Sequence, residues 1–197
     1  MIVFFEVTSK DVYIRKYQST IWPKEESGVT IGIGYDVGYA TKAQLHDDWD
    51  GAIPAAMITK LERAISVTGH PAKALAAALR PDVTVPWDAA LSVHRGHVLP
   101  RWIAIVEHHL PNCSEIGGDC LGALTSLTYN RGASFAKPEP RYKEMRAIRR
   151  HMNAREFKRI PGEIRAMKRL WPHVPGLLTR RDQEAALFED GLHAPDA

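Results

Sequence analysis

A chain of 197 residues, 45% hydrophobic and 25% charged, is long enough to bury a sizeable core and reads as one domain of at most two lobes. Its net charge of +3 admits an anionic partner without naming one. No run reaches the roughly 18 apolar residues of a membrane helix, so membrane insertion is not expected. The opening "MIVFF" is cut off by Glu6 and has neither basic leader nor small-residue cleavage site, so a secretory signal is not expected either.

In chain order, residues 1–39 hold β-branched and aromatic residues, a glycine alternation and the turn "WPKEESG". The pattern predicts a short helix over 9–17, with room to begin earlier and carry Glu6, then a β-hairpin or small sheet over 21–39. From Thr41 the spacing turns helical, and in "TKAQLHDDW" Thr41 is the expected N-cap. "IPAAMITKLERAISVTG" is expected to stop at Gly69. "PAKALAAALRP" is an alanine-rich helix between prolines. "PWDAALSVHRGHVLPRWIAIVEHHLP" is a long helical stretch with a kink expected near Pro100. "DCLGALTSLTYNRGASF" is apolar on most sides and reads as a central buried helix. Three amphipathic helices close the chain, and in the last Thr179 and Asp182 have capping-box spacing. The fold class is α+β, with a first helix and β lobe through residue 50 and a larger helical lobe over 51–197. Cys113 and Cys120, in "NCSEIGGDC", suit a disulfide or two free thiols equally.

The stretch "SGVTIGIGYDVGY" carries the chemistry worth weighing. Glycine weakens a strand, and its repetition suggests room for a polymeric substrate to approach the backbone closely. Asp36 ends this segment and reads either as an acting carboxylate or as a turn residue. Thr30 lies six residues earlier, on the same face if the segment is extended. Glu6 follows an apolar run, and partial desolvation favours the neutral form that a general acid needs. Together these groups fit a two-carboxylate glycosidase.

At this point the residues resemble a known family. "FFE" with Tyr13 seven residues after Glu6, then "GVTIGIGY", "ALTSLTYNRGASF" and "GLLTRRDQEAALFEDG", look like the phage-type lysozymes, glycoside hydrolase family 24. The resemblance covers about residues 3–191 and is least distinctive over 52–110. It implies a single lysozyme-like catalytic domain, a small β lobe against a larger helical lobe with a glycan cleft between. Glu6 matches the essential glutamate and Thr30 the threonine that positions water. Asn130 matches the polar residue of the central helix, and Arg180 and Arg181 match the pair before the last helix, whose role is at least partly structural. Tyr35, Asn130 and Arg180 are the expected substrate contacts. The chain departs from the usual pattern in its second carboxylate: Ile14 and Arg15 follow Tyr13 where an aspartate is typical. In this it is similar to pesticin-like muramidases, whose aspartate follows the threonine on the strand, as Asp36 does. Glu25, Glu26 and Asp11 compete with Asp36 for that role.

The resemblance implies a muramidase acting on the β-1,4 bond between N-acetylmuramic acid and N-acetylglucosamine of peptidoglycan. Glu6 would be the acid, and Asp36 with Thr30 would activate water, with inversion the expected outcome. No cofactor and no metal are expected. The partner is the peptidoglycan strand, with an immunity or delivery protein added if the chain is an effector domain, and the protein is expected to be monomeric. It would act in the periplasm or at the wall, delivered by a holin, a secretion machine or a parent protein. Between Lys137 and Arg169 twelve Lys/Arg face four Glu, a bias that would hold the chain on an anionic wall or simply form a solvated face. The alternatives are a lysozyme-like domain that binds wall glycan without cutting it, and a basic nucleic-acid-binding helical protein. The second is disfavoured because aromatics do not interleave with the basic residues. His94, His97, His108 and His109 read as surface histidines, since no "HExxH" is present. No "GxSxG" elbow supports a serine hydrolase.

Overall fold

The computed structural model describes residues 2–7 and 9–193. The architecture is α+β: mostly helical, with one two-stranded antiparallel sheet among the described residues. The chain divides into two compact units, the first ending at Pro100 and the second starting at Arg101. The first unit therefore takes in more helices than the lobe expected to end at residue 50.

In the first unit, α1 (Ile2–Val7) carries Glu6 and is separate from α2 (Lys10–Lys16). The helix expected over 9–17 is thus α2. Ser9 starts it, its hydroxyl accepting the Val12 amide at 3.2 Å. β1 (Thr30–Ile31) and β2 (Tyr35–Asp36) form a tight hairpin in which Thr30 faces Asp36 and Ile31 faces Tyr35. The expected hairpin is present, but "TIGIGYD" is not one extended strand. Gly32 and Gly34, at φ +57° and +68°, turn the chain between the two strands. Val29, Ile31, Ile33, Tyr35 and Val37 are all buried, so the odd-numbered face is core.

Four helices complete the unit. α3 (Lys42–Trp49) starts at Thr41, whose hydroxyl accepts the Gln44 amide at 3.1 Å, as expected. α4 (Ala55–Leu61) runs into a 3-10 turn over 62–64 and stops there, with Ser66 at φ +62°. Gly69 does not end this helix: it opens α5 (Gly69–Leu79). The fourth, α6 (Trp87–Val93), passes through a π-helical turn over 94–98 into α7 (Leu99–His109), which from Arg101 on belongs to the second unit. The irregularity expected near Pro100 thus falls just before it, where the missing Pro100 N–H leaves the preceding turn without its usual donor.

In the second unit, α8 (Gly118–Arg131) is the central helix, buried continuously from Ala123 to Thr128. α11 (Pro175–His193) packs on it, α10 (Ile160–Ala166) packs on α11, and α9 (Lys143–Ala154) packs on α10. Leu124, Leu127, Phe135, Ile148, Ile164 and Phe188 form the core of this unit. "AREFKRIPGEIRAMKRLW" is broken rather than continuous: a 3-10 turn over 157–159, then α10 with Pro161 in its first turn, then a second 3-10 turn over 167–170. α11 begins at Pro175, so Thr179 lies inside it and caps nothing, and Asp182 instead holds Lys168 at 2.8 Å. Cys113 and Cys120 are free, buried thiols, bonded to the carbonyls of Leu110 and Phe188. Burial pushes each thiol up to about 11.

Candidate functional site

Thr30 and Asp36 pair on one face of the hairpin, with Gly28 and Gly38 close against Asp36. Thr30 spends its backbone N–H and C=O on Ile21, at 2.9 and 3.0 Å. Toward Asp36 it therefore forms the narrow, non-hydrogen-bonded kind of antiparallel pair, with Cα atoms about 4.5 Å apart. The hydroxyl and the carboxylate do share a face, but through cross-strand pairing and not through a six-residue extended run.

Asp36 is heavily engaged. Its Oδ2 accepts the Gly28 amide and its Oδ1 the Gly38 amide, each at 2.9 Å. It caps the 3-10 turn over 37–39. Burial raises its pKa above the ordinary carboxylate value, and the two amide bonds pull the other way. A Cβ on Gly28 would overlap Asp36 Oδ1, and one on Gly38 would stand 2.8 Å from the Gly28 Cα. These two glycines are needed for an internal close approach of backbone to backbone. They do not leave an opening for a polymer, and this corrects the reading of the glycine alternation as space for a substrate.

Thr30 is 5% exposed and its hydroxyl lies 3.5 Å from the Gly28 carbonyl, a weak bond. Glu6, next to buried Val7, is half-buried near the end of α1. The competing acids differ in setting. Asp11 is exposed on α2, and Glu25 and Glu26 are exposed in the loop, with Glu25 at φ +52°. The Glu26 carbonyl accepts the Tyr39 hydroxyl at 2.7 Å.

Tyr35 is a correction. It was expected to touch substrate, but it sits on the odd-numbered core face, 6% exposed. Its hydroxyl donates to Asp48 Oδ2 at 2.8 Å and its ring meets Trp49 edge-on at 5.4 Å. His97 stands 3.5 Å from the other Asp48 oxygen. No spacing rule would have found Asp48, because its partner is thirteen residues earlier on another element.

In the second unit, Asn130 is exposed at the end of α8 and its Oδ1 accepts from Arg181 at 3.1 Å. Arg180 and Arg181 are buried and share Glu184, itself fully buried. Arg180 donates to Glu184 at 3.1 Å and to the Ser126 carbonyl at 3.1 Å, and the Ser126 hydroxyl donates to Glu184 at 2.6 Å. Arg180 has the structural part expected of it: its Nη2 ties α11 to α8 through Ser126, and its Nε holds Glu184 on α11 itself. Burial raises the Glu184 pKa and lowers that of Arg181. Glu184 was legible in principle, since "RRDQE" places it three and four residues after the arginines.

Part of the basic bias of residues 137–169 is taken up by ion pairs. Arg155 holds Glu115, Arg165 holds Glu189, Lys168 holds Asp182 and Arg169 holds Glu144. Arg131 stacks between Tyr142 and Trp171, at 5.4 and 4.9 Å. Of the histidines, His97 and His108 are exposed, but His94 is 2% exposed, and burial lowers its pKa. The surface reading fails for His94, because the π-helical turn rotates it inward. Among the described residues no group of three His, Cys, Asp or Glu could hold a metal ion. No helix among them is long and apolar enough to cross a membrane.

No protein-family model matches this chain, and no curated protein matches its sequence.

Proposed function

We propose that the protein is a lysozyme-like muramidase that hydrolyses the β-1,4 bond between N-acetylmuramic acid and N-acetylglucosamine in peptidoglycan. The observation that carries the reading is the cross-strand pairing of Thr30 with Asp36 on the hairpin. It puts a hydroxyl and a carboxylate side by side in the unit that also holds Glu6, as the pesticin-like arrangement requires. Glu6 protonates the leaving glycosidic oxygen, and Asp36 with Thr30 orients and deprotonates water. A carboxylate offers about four lone-pair sites, so two amide bonds leave Asp36 able to accept from a water. Its raised pKa makes it a stronger base than a solvated aspartate. The ordered occurrence of "FFE", "GVTIGIGY", "ALTSLTYNRGASF" and "GLLTRRDQEAALFEDG" supports the same reading. The site of action is the wall or periplasm, as a phage endolysin or an antibacterial effector.

A second reading has its own observation. Both Asp36 oxygens are bonded to backbone amides, as in a residue that only shapes a turn. A wall-binding domain that does not cut would look like this. Turbidity loss of purified cell walls separates the two. Lysis by the wild type that disappears in Glu6→Gln, with an unchanged circular dichroism spectrum, supports the muramidase. Wall sedimentation without lysis by the wild type overturns it in favour of the binder. Asp36→Asn and Glu26→Gln, assayed per folded molecule, identify the second carboxylate.

A further inference from the structure

A groove of about 560 Å³ lies wholly within the first unit, between the segment before the hairpin and α5. Its floor is apolar, made by Ile21, Trp22 and Ala76, and its rim is cationic, made by Lys24, Lys73 and Arg80. Among the described residues no carboxylate lines it. From this combination we propose that the groove is a binding site for a phosphorylated sugar, separate from the hairpin residues assigned to hydrolysis.

Three features favour this ligand. Trp22 is held in place, its indole N–H donating to the Ser27 carbonyl at 3.0 Å and its ring edge-on to His70 at 6.1 Å. The negative face of a fixed indole attracts polarised C–H groups and cations, and the Lys73 ammonium already stands 5.9 Å from its centroid. The walls are also fixed, because the Thr20 hydroxyl donates to the Ala76 carbonyl at 2.7 Å and ties the strand segment to α5. Finally, three cations with no carboxylate among the described lining residues suit a phosphate, which carries about −1.5 to −2 at neutral pH, better than a single carboxylate does. Lys24 reaches the groove from φ +94°, a conformation that costs a non-glycine residue on the order of 1 kcal/mol or more. A nucleotide is the weaker fit, because the groove offers one aromatic face and nothing opposite it to sandwich a base.

Isothermal titration of the full chain with N-acetylglucosamine 6-phosphate tests this. The expected result is saturable binding that is weakened about tenfold or more in Lys73→Glu and in Trp22→Ala, with neutral N-acetylglucosamine and inorganic phosphate each binding at least about tenfold more weakly than the sugar phosphate. Lys73 is exposed, so Lys73→Glu remains informative if Trp22→Ala does not fold. Three results overturn the proposal: no saturable binding, unchanged affinity in Lys73→Glu, or binding of adenosine monophosphate or of phosphate alone as tight as that of the sugar phosphate. The same titration with Glu6→Gln should give wild-type affinity, which separates this groove from the hydrolytic reading whichever way that reading falls.

Discussion

The Gly28 amide donates to the Asp36 carboxylate at 2.9 Å, across a hairpin that brings together residues eight apart. The same carboxylate takes the Gly38 amide, so one side chain fastens both legs of the hairpin. Whatever its part in chemistry, Asp36 has a part in folding, and the two can be measured separately.

Asp36→Asn keeps one acceptor oxygen and turns an amide NH2 toward a backbone N–H. The expected cost is about 1–3 kcal/mol of stability, read as a lower urea midpoint at unchanged slope. An unchanged midpoint would show that the clip contributes nothing. Activity, if present, has to be normalised to the folded fraction before the substitution says anything about water activation.

Gly38→Ala tests the backbone approach. Its Cβ would stand 2.6 Å from the Val67 carbonyl oxygen and 2.8 Å from the Gly28 Cα, and neither atom belongs to a flexible side chain. We expect a loss of about 1–3 kcal/mol, seen as a lower melting temperature. Gly51→Ala is no control, since its φ of +79° strains any side chain, but Gly96→Ala is, because nothing lies within 4 Å of the added methyl. Equal melting temperatures for Gly38→Ala and Gly96→Ala would refute the close-approach argument.

Glu184→Gln removes the carboxylate shared by Arg180 and Arg181 while keeping its shape. Arg181 is fully buried and loses its ionic partner, so the expected cost is about 3–5 kcal/mol. Chemical denaturation monitored by circular dichroism gives the value. A loss under about 1 kcal/mol would mean that the pair is neutral to stability.

His46 predicts a pH dependence in the first unit. Its Nε2 lies 2.8 Å from Glu62 and its Nδ1 3.3 Å from Asp50, while Lys42 also holds Glu62 at 2.7 Å. Glu62 and then Asp50 raise the imidazole above its ordinary value of 6.5. A raised folded value means that the native state binds the proton more tightly. The stabilisation is therefore full below 6.5 and is lost as pH rises through the higher folded value. Melting temperatures of wild type and His46→Gln should differ in acid and converge in mild alkali. A constant difference across that range would rule out the ionic origin.

Period and punctuation made much of the helical layout legible. "ALTSLTYN" reads as a buried helix because it is apolar all round, and Thr41 reads as a cap because a hydroxyl precedes a helical run. Errors arose where one residue type serves two ends. Gly69 resembles a terminator yet opens α5, and Thr179 resembles a cap yet lies a full turn inside a helix begun by Pro175. For the site, spacing puts Thr30 and Asp36 on one face but does not show how they meet. That depended on the turn at Gly32 and Gly34, which changes a strand into a hairpin. Tyr35 and Arg180 resemble ligand contacts because an aromatic and a cation lie beside a motif, and spacing does not report the burial that gives both of them internal partners.

The two cysteines carry a practical consequence. Both lie in the second unit, and the first has none. With each thiol held near 11, only about one in ten thousand is thiolate at neutral pH, and both are buried. Alkylating reagents can therefore reach sulfur only when this half of the chain opens. Labelling rates report on its opening alone, so the chain comes with a native clock for one of its two halves and needs no engineered reporter.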